Sequence, residues 1–172
     1  MSFALEKKCK ELDFYIENCR QSIVLIEDNI DNNKFLNEYK TKLNIKEKVI
    51  YIDFKNIHNA RDLAKQLLEQ YKQLFDNTLD VKLPKDDYYA VSEALEFITK
   101  TEDKQENIVI WMDNFTDILL LQERDWLFGL LRGEFQHHQN IVHVFTSDSK
   151  VKINKIFINQ DNPFFRFARI VV

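Results

Sequence analysis

The residues best placed to do chemistry stand at the ends of two apolar runs. The first run reads IVIWMDNF from Ile108, five apolar residues leading into Asp113 and Asn114. A carboxylate there is a candidate Mg²⁺ ligand, because one carboxylate with waters and phosphate oxygens is an ordinary site for that ion. The amide beside it cannot accept a proton as a carboxylate would. The second run, IVHVF, ends in Thr146 and Ser147. Glu134 and His138 are spaced i,i+4 with His137 and His143 nearby, which suggests a metal pair. No third ligand stands at a proper spacing, so the expectation is instead a histidine favoured at a helix C-terminus by the dipole. No serine or cysteine nucleophile has an evident partner, and no catalytic residue is assigned.

These residues need elements to hold them. Four to eight consecutive apolar and β-branched residues predict a strand buried on both faces. An acidic residue just past such a strand lies at the carboxyl edge of the sheet, where open α/β folds place ligands. In chain order, Leu5, Cys9, Leu12, Ile16 and Cys19 form one apolar helical stripe. A strand over 22–27 follows, then an Asp/Asn-rich turn over 28–33 and a helix over 33–43 with Phe35, Leu36, Tyr39 and Leu43 inward. Next come a strand over 48–54 ending near Asp53, a helix over 58–75 and an irregular connection over 76–85. A helix over 86–99 presents Tyr88, Val91, Ala94, Leu95 and Ile98 to the core, and the central strand follows. The remainder predicts a helix over 119–135, a strand over 140–145, a short helix over 150–157 and a last strand over 167–172. Alternating strands and helices imply a parallel sheet with helices on both faces.

At 172 residues and 45% hydrophobic content the chain reads as one domain, 1–172, with a single core. Its formal charge of −4 argues against whole-protein attraction to nucleic acid or anionic membrane. The charge is uneven, with +4 on residues 149–172 and −8 before them. That basic segment interleaves Arg166 and Arg169 with Phe157, Phe164, Phe165 and Phe167, as single-strand stacking platforms do. The expectation is a terminal strand with phenylalanines inward and arginines solvated. Cys9 and Cys19, ten residues apart on one helix, would be about 15 Å apart, too far for a disulfide. Core cysteines and the absence of an export signal suggest the cytoplasm. No run approaches the ~20 apolar residues of a membrane span. Only Gly129 and Gly133 are glycines, and phosphate-cradling loops depend on glycine.

The order of elements, with IVIWMDNF, the following LLRGEFQ, and NIVHVFTSDSKVKINKIFINQDNPFFRFARIVV, resembles P-loop ATPases of the AAA/STAND group, especially the archaeal-type ATPase family. YIDFKNIHNARDLAKQLLEQY is similar to that family's second strand and helix. The resemblance implies a three-layer α/β sandwich, its five parallel strands in the spatial order fifth, first, fourth, third, second; the family's lid or winged-helix domain is not expected here, since the sequence stops at the fifth strand. It implies that Asp113 occupies the Walker B metal position, that Asn114 replaces the glutamate that would polarise water, and that Thr146 and Ser147 stand where the γ-phosphate is sensed. It aligns Lys34 with the lysine of the phosphate loop, GxxxxGK[ST]. Here that loop reads DNIDNNKF, with Asp28 and Asn33 in place of the glycines and Phe35 in place of the magnesium-binding hydroxyl.

A phosphate loop needs inward N–H groups and positive potential, and Asp28 and Asp31 oppose both. Lys34, Asp113, Asn114, Thr146 and Ser147 are therefore the nucleotide-site positions, with Asp113 the metal position and residual Mg-ATP binding the most to be expected of them. Without a phosphate to sense, Thr146 and Ser147 should bond to the local turn. The expected function is a non-hydrolysing ATPase-like module that binds a protein partner. The alternatives are a nucleotide-binding ATPase with a non-standard loop and nucleic-acid binding through the basic segment.

Overall fold

The computed structural model describes residues 3–18, 20, 22–26, 30–104 and 107–171, without the side chains of 3–5, 30–33 and 103–104. Five strands, β1 (Ile23–Ile26), β2 (Lys48–Asp53), β3 (Ile108–Asp113), β4 (Ile141–Ser147) and β5 (Arg169–Val171), form one parallel sheet in the order β2-β3-β4-β1-β5. That is the spatial order which the resemblance implied. All residues of β1, β3 and β4 are buried, as their unbroken apolar sequences require of interior strands.

Side-chain alternation divides the core in two. Ile23, Leu25, Val49, Val109, Trp111, Val142 and Val144 pack beneath α1 (Phe3–Asp13) and α2 (Ile30–Lys46). Asp13 ties those helices together, accepting from the Tyr39 hydroxyl at 2.9 Å and the Lys42 ammonium at 2.7 Å. The opposite face, with Val24, Ile50, Ile110 and Phe145, is covered by α3 (Ala60–Phe75), α4 (Asp87–Thr99) and α5 (Arg124–Phe135). A short α6 (Lys150–Ile153) passes into a π-helical turn, Asn154–Ile158, that adds Ile156 and Phe157 to this layer.

The helix expected over 119–135 is two elements. Asn114 adopts a left-handed conformation (φ 52) and turns the chain into a 3-10 segment, Phe115–Leu120. Leu121, 4% exposed and extended, then separates that segment from α5. Helix α2 runs Ile30–Lys46, so the last part of the turn expected over 28–33 is already helical. Tyr88 is 44% exposed instead of inward, because α4 turns its buried stripe through Ala90, Val91, Ala94, Leu95 and Ile98. The last strand starts at Arg169, two residues late; Phe164 and Phe167 fold onto the helical layer before it. Cys19 and residues 27–29 lie outside the described residues. Among the described residues, no helix is long and apolar enough to cross a membrane.

Candidate functional site

The register places Asp53 beside Asp113, and Thr146 beside Leu25, at the carboxyl edge of the sheet. Trp111 and Asp113, two apart on β3, share a face, and both point toward α2. Each oxygen of the Asp113 carboxylate has two donors. Oδ1 accepts from the Trp111 indole at 2.5 Å and the Thr146 hydroxyl at 3.1 Å. Oδ2 accepts from the Lys40 ammonium at 3.2 Å and from the Tyr51 hydroxyl in a short hydrogen bond. Lys40 also lies 4.1 Å from the centre of the Tyr51 ring, a cation–π contact. Its side chain is 22% exposed and that of Asp113 13%, so solvent screens the pair only in part.

The neighbouring positions are committed within the protein as well. The Asn114 amide donates to Asp53 Oδ1 at 2.9 Å, and its backbone N–H donates to Thr146 Oγ1 at 3.2 Å. Ser147 Oγ pairs with Thr116 Oγ1 at 2.7 Å and accepts from the Ser149 N–H at 3.1 Å. Asp113, Asn114 and Thr146 thus form one connected cluster, with Ser147 beside it in a separate turn network. Lys34 does not join them: it is exposed on the first part of α2. Phe35 is 4% exposed and stacks on Tyr39 with centroids 6.1 Å apart, as an apolar ring at a helix–sheet interface must.

Lys40, Tyr51, Trp111 and Asp53 were not singled out from sequence. Lys40 carried a signal, since it follows Leu36 by four and precedes Leu43 by three and so falls on the buried stripe of α2. Tyr51 and Trp111 are register neighbours, a fact that strand pairing alone discloses.

At the amino edge the histidines form a buried chain of hydrogen bonds. Ser22 Oγ lies 3.0 Å from His143 Nδ1, His143 Nε2 3.0 Å from His138 Nδ1, and His138 Nε2 2.9 Å from Thr99 Oγ1. Thr99 gives its own proton to the Leu95 carbonyl. It therefore accepts from His138, and both imidazoles are neutral with the proton on Nε2. Burial lowers the pKa of His138 to about 4 and that of His143 well below the usual range. The dipole reading of His138 is thereby corrected, because a neutral ring offers no positive charge to a helix C-terminus. Among the described residues, no group of three or more His, Cys, Asp or Glu side chains could hold a metal ion.

This three-layer α/β arrangement, with five parallel strands in the order β2-β3-β4-β1-β5, is a fold shared with solved Walker-type ATPase and Cdc6/ORC structures. Archaeal proteins are among the solved structures that it resembles. The chain superposes on a Walker-type ATPase of Pyrococcus abyssi with a TM-score of 0.70 at 14% identity, covering 96% of this chain and 52% of that one. For Cdc6p of Pyrobaculum aerophilum the values are 0.62 and 12%, over 96% and 44%. For the Aeropyrum pernix ORC1 protein in complex with DNA they are 0.61 and 9%, over 96% and 43%. The chain thus spans about half the length of these proteins. No protein-family model and no curated protein matches its sequence.

Proposed function

We propose that this chain is an ATPase-fold module that does not turn over nucleotide and acts by binding another protein. The observation that carries this reading is the saturated carboxylate of Asp113. A metal ion would have to displace donors from it and sit against the Lys40 ammonium, 3.2 Å from Oδ2. A dication beside a fixed ammonium is repelled, and Lys40 already neutralises the carboxylate. Phe35 lies in the core and offers no hydroxyl, while the Asn114 amide is held by Asp53. These residues do not fit a metal–nucleotide pair, and no hydrolytic step follows from them. A protein partner is supported by the adjoining exposed rings of Tyr88 and Tyr89, at 44% and 64% exposure and 5.6 Å apart. The proposed compartment is the cytoplasm, in keeping with the free thiol of Cys9.

The test is a melting curve with and without millimolar Mg-ATP, alongside a phosphate-release assay. The melting temperature should stay constant, since a ligand stabilises only through its affinity for the folded state, and no phosphate should appear above background. A shift abolished by Lys34→Ala, or turnover abolished by Asp113→Ala, overturns the reading in favour of an ATPase with a non-standard loop.

A second reading is nucleic-acid binding. It draws on the +4 segment and on the likeness to a protein described in complex with DNA. Against it, Phe157 and Phe164 are buried, and the Arg166 and Arg169 guanidinium groups lie 4.9 and 4.6 Å over Phe165 and Tyr15. Oligonucleotide titration at low salt decides it: a salt-dependent affinity lost on replacing Arg166 and Arg169 would establish this reading.

A further inference from the structure

The outer face of α4 carries the same pairing of an aromatic ring and a carboxylate twice. A groove of about 460 Å³ runs along it, lined by Pro84, Tyr89, Glu93, Glu96, Phe97 and Lys100. At one end the chain fills the pairing itself: the Lys100 ammonium lies 2.8 Å from Glu96 Oε1 and 6.0 Å over the Phe97 ring. At the other end Tyr89 and Glu93 stand one turn apart; Lys100 makes its contact salt bridge with Glu96 and feels the Glu93 charge only at longer range. Glu93 and Glu96 are three residues apart on one helix, where like charges disfavour each other. Lys100 is bonded to only one of them.

The open pairing is held in place. Tyr89 is 64% exposed, but its ring packs edge-on to Tyr88 at 5.6 Å, and Tyr88 packs on Trp126 of α5 at 5.5 Å. An aromatic face set by its neighbours loses little entropy when a ligand stacks on it. With Lys100 offsetting Glu96, the charged lining of the groove is net negative by the one carboxylate of Glu93, which favours a cationic ligand. A guanidinium suits it best, because it stacks on an aromatic face and engages a carboxylate with two parallel N–H groups. From Tyr89 to Phe97 the helix rises about 12 Å, the span of about four extended residues.

We propose that the α4 groove docks an arginine-bearing extended segment of a partner protein, its guanidinium stacked on Tyr89 and paired with Glu93. This rests on the reading of the module as a protein binder and names the chemistry of what it binds. The probe is an acetylated, amidated eight-residue peptide alternating arginine and alanine, titrated calorimetrically beside its lysine and glutamate counterparts. The arginine peptide should bind, the lysine peptide more weakly, and the glutamate peptide not at all. Glu93→Gln and Tyr89→Ala should each weaken the arginine peptide roughly threefold to tenfold, while Tyr89→Phe, which keeps the ring, should bind like the parent. Equal binding by the Glu93→Gln protein, or no binding of the arginine peptide, overturns the groove. Mg-ATP melting curves on the same preparations separate the two levels. A Lys34-dependent shift removes the parent reading even where the peptide binds, whereas silence toward both ATP and peptide removes the groove alone.

Discussion

Replacing Lys40 by methionine tests whether the protein's own cation neutralises Asp113. Methionine keeps most of the length and apolar stem of lysine and removes the ammonium. At 3.2 Å and an effective dielectric of ~20 the gross attraction is about 5 kcal/mol. Part of that is offset by the cost of desolvating both groups, and solvent reaches the lysine, whose side chain is 22% exposed. Breaking a buried pair costs roughly 3–5 kcal/mol; with this exposure, a loss of about 2–3 kcal/mol is expected. For a chain of 172 residues that corresponds to a fall in melting temperature of roughly 5–10 °C. Urea denaturation supplies the free energy directly. Asp113→Asn alone should also destabilise, because it leaves Lys40 facing an amide. The double variant should lose less than the two single losses added together, by 1 kcal/mol or more. The freed carboxylate should then make the Lys40→Met protein, unlike its parent, gain stability with millimolar Mg²⁺. Independent, additive losses, or a loss under 0.5 kcal/mol for Lys40→Met, would refute the claim that this lysine holds Asp113.

Acid should unfold the protein through the histidine chain. At neutral pH both folded and unfolded states carry neutral His138 and His143, so the pair adds no pH dependence there. Below about 6.5 the unfolded state binds protons that the folded state refuses, and stability falls until the folded pKa of about 4 is reached, by about 3 kcal/mol for His138 alone. Urea midpoints between pH 7 and 4.5 measure this; a His138→Gln, His143→Gln double variant should flatten the slope, and an unchanged slope would count against the assignment. Arg20 joins Glu47 at 3.3 Å and donates to the carbonyls of Ile16, Ile108 and Asn140, linking the amino ends of β3 and β4 to the bend between α2 and β2. Arg20→Met should therefore cost about 3 kcal/mol by leaving Glu47 buried without its partner, and Arg20→Lys should recover only a part, since an ammonium cannot span those acceptors. Full recovery by lysine in the same urea assay would show that charge alone matters there.

The sheet was legible because its information is local. IVIWMD and IVHVF are apolar at every step but one, and such runs belong to interior strands whatever packs on them. Their order could then be carried over with the resemblance, and it is the order found. Two backbone events were not legible. Asn114 in a left-handed conformation turns the chain from β3 straight into a 3-10 segment that no periodicity announces, and its bonds to Asp53 and Thr146 accompany that turn. The buried Leu121 keeps the chain extended where periodicity alone calls for helix.

The candidate site divides along the same line. Asp113, Asn114, Thr146 and Ser147 meet, or nearly meet, because they end adjacent strands, which strand order and register determine. Lys34 does not, because its position depends on the helix: α2 begins at Ile30 and presents Lys34 to solvent and Lys40, almost two turns on, to the sheet. The lysine that matters to Asp113 is thus chosen by how α2 lies over β2 and β3, not by alignment with a phosphate loop. Tyr51 completes the argument. The register brings this edge-strand ring beside Trp111 and within reach of Asp113, and Lys40 lies over it, so the cation, the phenol and the carboxylate hold one another. Each of the three alone has an ordinary structural explanation. With Trp111 and Thr146 they give the Asp113 carboxylate two donors on each oxygen, and the Lys40 share of that is a property of the packing of α2 on the sheet.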